Sequence, residues 1–215
     1  MQSTGILIVL EGIEGSGKTT QAALLRDWLV GLGLDCIATR EPGGTPLGEA
    51  ARQAMLDAPG EVPARAELML ALAARAALRE QVVEPALRRG AIVLLDRSEL
   101  SSLAYQGYGR GIPLEDVRMA NEVATGHRRP DLTLLLDIPG AVGEERRRAV
   151  GKAHDRIEAA GRDFHQRVER GYRELARNEQ GIAVVDGTGS VEAVQARLRD
   201  ELRRRFPETI GRTKG

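Results

Sequence analysis

Ile6-Leu-Ile-Val-Leu-Glu-Gly-Ile-Glu-Gly-Ser-Gly-Lys18-Thr19 is the stretch on which the fold turns. Its second half, Gly12-Ile13-Glu14-Gly15-Ser16-Gly17-Lys18-Thr19, matches the GxxxxGK[ST] phosphate loop at every position. The apolar run at 6–10 is too short to cross a bilayer and has no signal-peptide cleavage pattern, so it reads as a buried strand. Helical periodicity follows over 17–32. A string of this kind could be a glycine-rich turn with a chance lysine, but the flanks argue otherwise. Between a strand and a helix, the loop amides and the helix N-terminus converge on one anionic group. Gly15 and Gly17 allow positive φ and close backbone approach. Lys18 is expected at the β- and γ-phosphates of a bound nucleotide, and the Thr19 hydroxyl on Mg²⁺.

Outward from the loop, short apolar runs recur at 36–38, 91–95, 132–136 and 182–185, separated by segments of helical period. Helices are expected over 46–57, 64–89, 114–126, 162–178 and 190–205. Continuous apolar strands alternating with helices predict an α/β fold whose parallel sheet is covered on both faces. The strands starting at Ile6, Ala91 and Leu132 end in Glu11, Asp96 and Asp137, where ligands of open parallel sheets bind. Glycine and proline at 42–44, 107–113 and 139–143 mark loops and no linker, so one domain is expected over 1–210, with a frayed tail at 211–215.

Composition removes several function classes. Lys plus Arg and Asp plus Glu number 31 each, so no basic field exists to hold nucleic acid, and aromatics at 3% offer no base-stacking platform. The lone Cys36 fits a reducing cytoplasm, and no segment calls for a membrane. A phosphate loop still leaves GTPases, ATP-driven partitioning or switch proteins, sulfotransferase-like folds and small-molecule kinases open. No NKxD-type base-reading segment appears late in the chain, and no DEAD-like or ABC-type partner motif accompanies the loop.

Three further segments narrow the choice: Arg40-Glu-Pro-Gly-Gly-Thr45; Asp96-Arg97-Ser-Glu-Leu-Ser101-Ser102-Leu-Ala-Tyr105-Gln106-Gly107; and Asp155-Arg156-Ile-Glu158 followed by Phe164-His165-Gln-Arg-Val168 and Tyr172. Together with the loop, in order from Ile6 to about Val185, they closely resemble the bacterial thymidylate kinase family. The resemblance implies a P-loop kinase fold with a five-stranded parallel sheet and a mobile lid near 143–158. It also implies transfer of the ATP γ-phosphoryl group to dTMP, with Mg²⁺, in a cytoplasmic homodimer. Carried over by motif, Arg97 binds the acceptor phosphate and Asp96 lies near Mg²⁺. Glu14 approaches the 3′-hydroxyl, Tyr105 crowds the 2′ position and Arg75 reads thymine O4; Ser102, Gln106 and Asp155 join the substrate site. Read alone, Asp96 is also a cap or salt-bridge acid, and Arg75 a snorkelling helix residue. Two positions depart from the family: Ala71 stands where an aromatic usually stacks on thymine, and Ser98 where Tyr usually follows Asp96-Arg97.

Such a transfer needs charge neutralisation and alignment more than proton removal, because a phosphate monoester is mostly dianionic near neutrality. The loop position that carries a catalytic arginine in some relatives is Gly15 here. The chain therefore resembles the subgroup that takes its cation from the lid. Candidates are Arg146, Arg147, Arg148, Lys152 and Arg156, with Arg156 first and Arg148 second, although charge patterning alone reads 146–148 as a solvated helix face. The rival readings are a kinase of another nucleoside monophosphate and a P-loop ATPase switch.

Overall fold

Strands form in the five apolar runs: β1 (Ile6–Glu11), β2 (Cys36–Arg40), β3 (Ile92–Asp96), β4 (Leu132–Asp137) and β5 (Ile182–Asp186). They make one parallel sheet in the order β2-β3-β1-β4-β5. The computed structural model describes residues 5–58, 60–151 and 155–211, the side chain of residue 150 excepted. Around the sheet lie α1 (Lys18–Gly31), α2 (Pro46–Leu56), α3 (Ala64–Leu78), a π turn (Arg79–Val83), α4 (Glu84–Arg88), α5 (Glu99–Ser102) and a second π turn (Leu103–Gly109). These are followed by α6 (Leu114–Thr125), α7 (Gly140–Val150), α8 (Arg162–Asn178), α9 (Val191–Arg205) and α10 (Pro207–Ile210).

Because strand side chains alternate, each central strand feeds two cores. Leu7, Val9, Val93 and Leu95 pack with Leu78, Val83 and Leu87 on one face. On the other, Ile8, Leu10, Leu94 and Leu134 meet Leu25 and Leu29 of α1 and Leu198 and Leu202 of α9. Burial on both faces is why these strands lack polar alternation. In register, Leu10 faces Asp96 across β1 and β3, and Glu11 faces Leu135 across β1 and β4. The strand-end acids thus reach one edge of the sheet, beside the phosphate loop.

The expected continuous helix over 64–89 is interrupted by the first π turn. Pro85 is the physical reason: it has no N–H to give the preceding turn, and its ring crowds the carbonyl four residues back. Helix α7, which periodicity did not predict, occupies much of the expected lid. It carries little apolar side chain into the core, so it leaves no periodic signal. The lid candidate Lys152 and tail residues 212–215 lie outside the described residues. Thr45, closing the Arg40–Thr45 motif, caps α2 by accepting from Gly48 N at 2.9 Å, with Pro46 at the first helical position.

Candidate active site

Gly12, Gly15 and Gly17 adopt φ of 143°, 75° and 94°, a region most L residues avoid. Gly17 turns the chain into α1, whose first residue, Lys18, folds back over the loop. Lys18 Nζ donates to Gly12 O at 2.9 Å, Ile13 O at 2.8 Å and Ser16 Oγ at 3.2 Å. Burial, and after it the Arg97 guanidinium, pull its pKa down to about 8. Thr19 Oγ1 donates to Asp96 Oδ2 at 2.6 Å, bringing a hydroxyl and a carboxylate to the mouth of the loop. Both are hard oxygen donors of the kind Mg²⁺ takes.

Arg97 has φ of 72° although it is not glycine. Such a conformation costs about 1–3 kcal/mol and persists where its surroundings over-determine it. Its N–H donates to Leu10 O at 2.9 Å, and the side chain lies over the loop. Nη1 donates at 3.2 Å to Gly12 O, Ser101 Oγ and Tyr172 Oη, and Nη2 at 3.4 Å to Glu14 Oε1. The same Glu14 oxygen accepts from Tyr105 Oη at 2.5 Å. Burial pushes the Glu14 carboxyl up, but Arg97 and the Tyr105 hydroxyl outweigh it and hold it below the usual range. Beneath them Glu11 accepts from Ser98 N at 2.8 Å, Ser101 N at 3.1 Å, Ser101 Oγ at 2.7 Å and Tyr172 Oη at 2.9 Å. Glu11 therefore knits β1 to the segment after β3 and to α8, whereas Asp96 opens into the cleft.

Across the cleft stands Arg75, 2% exposed and held on every side. Nε donates to Glu41 Oε2 at 2.6 Å, Nη2 to Ser98 O at 2.8 Å, and Nη1 to Ser102 Oγ at 3.0 Å and Asn121 Oδ1 at 2.5 Å. A guanidinium has five N–H groups. These bonds engage four, so Arg75 keeps one on Nη2. Gln106 Nε2 donates to Glu67 Oε1 at 2.8 Å, and Asp155 Oδ1 accepts from Ile157 N and Glu158 N at 2.9 Å each. Both also line the cleft, with Tyr105, Ser102 and the apolar Met55, Leu56, Ala71 and Ile157. Leu72, next to Ala71, belongs to the core.

The lid cations separate clearly. Arg156 Nε donates to Met55 O at 2.9 Å and Nη2 to the buried Glu67 Oε2 at 2.5 Å, which ties it to α2 and α3. Arg148 is exposed and pairs with Glu144. Arg146 Nη2 donates to Gly187 O at 3.0 Å and Gly189 O at 3.3 Å, tying α7 to the loop after β5. Arg147 differs: Nε and Nη1 are shielded from solvent without a hydrogen-bond partner among the described residues, and the side chain borders the cleft holding Lys18, Asp96 and Arg97. Of the expected candidates, Arg156 and Arg148 each pair with a carboxylate, whereas Arg147 borders the cleft with two nitrogens unpartnered among the described residues.

A reason for its placement lies in the loop. A Cβ at Gly15 would come within 2.2 Å of Gly143 O, and one at Gly143 within 2.5 Å of Glu14 O, so α7 docks on the loop through two glycines. Arg147 is one helical turn beyond Gly143, on the same face. Sequence reasoning missed Glu41 as the orienting partner of Arg75, although it stands in the Arg40–Thr45 motif. It counted Arg147 only as one of a run.

The family model described as thymidylate kinase matches residues 10–198. A thymidylate kinase of Trichodesmium erythraeum is 43% identical over 210 residues, 90% of this chain and 93% of that protein. One from Desulfovibrio desulfuricans is 45% identical, covering 92% and 94%. One from Synechococcus sp. (strain JA-2-3B'a(2-13)) is 46% identical, covering 96% and 99%. With these matches extending over nearly its whole length, and a phosphate loop facing a buried arginine across one cleft, the chain belongs to the thymidylate kinase family.

Proposed function

We propose that this chain transfers the γ-phosphoryl group of ATP to dTMP, giving dTDP and ADP. The observation that carries the reading is the cleft itself: a phosphate loop on one wall, Arg97 between, and on the other Arg75, fixed by four hydrogen bonds with one N–H to spare. Lys18 and the loop amides bind the donor phosphates, and Thr19 and Asp96 would hold Mg²⁺, which would neutralise charge on the transferring group. Arg97 takes the acceptor phosphate, Glu14 and Tyr105 flank the deoxyribose, and the remaining N–H of Arg75 meets a carbonyl on the base. Purified protein with ATP and Mg²⁺ is to be offered dTMP, dUMP, dCMP, dGMP, AMP and UMP in parallel. ADP formed with dTMP far above the other acceptors and above a no-acceptor control supports the reading. Steady ADP release without any acceptor would favour an ATPase switch.

Base recognition gives a second expected outcome. A lone donor at Arg75 suits a carbonyl and opposes the amino group of cytosine, so Arg75→Ala lowers the dTMP/dCMP ratio of kcat/KM by about tenfold or more, about 1.4 kcal/mol. An unchanged ratio would show that Arg75 does not read the base. One turn before it on the same face of α3, Ala71 offers little surface for stacking. Ala71→Phe supplies a ring worth about 1–3 kcal/mol, and dTMP is expected to bind at least about fivefold tighter by calorimetry. Equal affinity would mean that Met55 and Ile157 already cover the base.

The pH dependence follows from Lys18. A bound triphosphate favours the ammonium form, whereas in the loop alone the pKa lies at about 8. Binding must then take up a proton once the pH exceeds that value, so ATP affinity falls by up to about tenfold per pH unit above it. Titration calorimetry in buffers of different ionisation heat would detect the uptake, and its absence at alkaline pH would contradict the assignment.

A homodimer is part of the same proposal. Met69 on α3 and Met119 and Val123 on the adjoining α6 are large apolar side chains left exposed, and a second copy is their proposed cover. Among the described residues no helix is long and apolar enough to cross a membrane, and a cytoplasmic site of action is proposed with the activity.

A further inference from the structure

Arg79 opens the π turn after α3 and is 2% exposed. Buried polar groups are nearly always hydrogen-bonded. Yet Arg79 Nε and Nη1 have no partner among the described residues, and Nη2 reaches Ser98 Oγ at 3.4 Å. The charges acting on it are the carboxylates of Glu41, Glu99 and Glu84 and the guanidinium of Arg75.

Glu41 and Ser98 link it to the cleft. Glu41 Oε2 accepts from Arg75 Nε, while Glu41 Oε1 is buried with no hydrogen-bond partner among the described residues. One carboxylate thus serves two guanidinium groups, one by a hydrogen bond and one through space. Ser98 is shared likewise: its carbonyl accepts from Arg75 Nη2 and its hydroxyl from Arg79. A bulkier side chain at position 98 would compete for the space beside the Arg79 guanidinium, so the small residue there and the buried cation belong together.

We propose that Arg79 is a positioning residue for acceptor-base recognition: from beneath the cleft it biases Glu41 and Ser98, two of the groups that aim Arg75, and presets that guanidinium before the monophosphate arrives. This rests on the reading of Arg75 as the base contact.

The test is steady-state kinetics with dTMP and dCMP on a set of variants, with thermal melting of each. Arg79 makes no hydrogen bond to a carboxylate, and Glu41 stays paired with Arg75 when Arg79 is replaced, so the change breaks no close ion pair and removes the desolvation cost of a buried cation. Arg79→Met is therefore expected to melt no lower than the wild type. Its KM for dTMP should rise about tenfold and the dTMP/dCMP ratio shrink, with kcat within about twofold. Arg79→Lys, which returns the cation, should recover part of the loss. In an Arg75→Ala background the Arg79→Met change should add almost nothing, because it acts through Arg75.

A folded Arg79→Met enzyme with unchanged KM and ratio overturns the proposal, as does full additivity in the double variant. Should Arg79→Met fail to fold, Ser98→Ala decides. It removes the hydroxyl Arg79 touches, keeps the carbonyl that holds Arg75, and should raise KM for dTMP about threefold, a modest coupling for neighbouring groups; no rise overturns the proposal. Arg75→Ala with a wild-type ratio would instead overturn the base-contact reading, so the two failures are told apart.

Discussion

Lys18→Ala is expected to lower kcat/KM for phosphoryl transfer by about 10³ or more, roughly 4 kcal/mol, while the protein stays folded. The lysine is the loop's own cation, and its Nζ now satisfies Gly12 O, Ile13 O and Ser16 Oγ. In the proposed reaction a triphosphate would draw it off these partners, and it would then act on oxygens whose charge is redistributed during transfer. Removing it leaves three acceptors at the edge of an open cleft, where water can replace it, so a small change in melting temperature accompanies the large loss of rate. The check is single-turnover transfer to dTMP together with a thermal melt. Activity within about tenfold of wild type, about 1.4 kcal/mol, would sink the phosphate-loop reading.

Arg147→Ala carries the second large effect. Gly15 has no side chain to meet developing charge, and its contact with Gly143 closes that position to any other residue. The compensating cation has to come from α7 or beyond it. Arg156 is engaged by Glu67, Arg148 by Glu144 and Arg146 by backbone carbonyls, so Arg147, with two shielded nitrogens unpartnered among the described residues, is the arginine free to turn to the transferring group. An arginine acting there is worth about 10³–10⁵ in rate, roughly 4–7 kcal/mol. Its loss should lower kcat far more than it raises KM for dTMP, because the contact matures in the transition state. Alanine at 146, 148 and 156 serves as comparison, with Arg148→Ala staying within about threefold, under about 1 kcal/mol. If Arg147→Ala also stays within that range, the assignment to α7 fails. Gly15→Arg would not rescue it, since the new side chain would displace α7 from the loop.

The parts of this site that are local in the chain were legible in its sequence. The phosphate loop needs only glycines that reach positive φ, a strand before and a helix after, and all of these lie within one short segment. The central strands were equally readable, because burial on two faces leaves Thr133 of β4 as the one polar residue within their apolar runs, and Asp96 followed as the acid at the end of such a run. Helix α8 appeared at its expected bounds because Phe164, Val168, Tyr172 and Leu175 repeat on one face. The π turn before Pro85 and the unpatterned α7 did not, since neither changes which apolar residues face the core.

What only the tertiary structure decided was where the arginines point. Arg156 and Arg147 stand in one basic stretch, and nothing local tells them apart. Arg156 is claimed by Glu67, 89 positions away, and Arg75 is aimed by Glu41, 34 positions away. Hydrophobic period is a property of neighbouring residues, so it survives in a one-dimensional reading. The direction of a long charged side chain is set by whichever desolvated partner the fold brings within reach, and for Arg147 it is set by two glycines whose contact lets α7 rest against the loop.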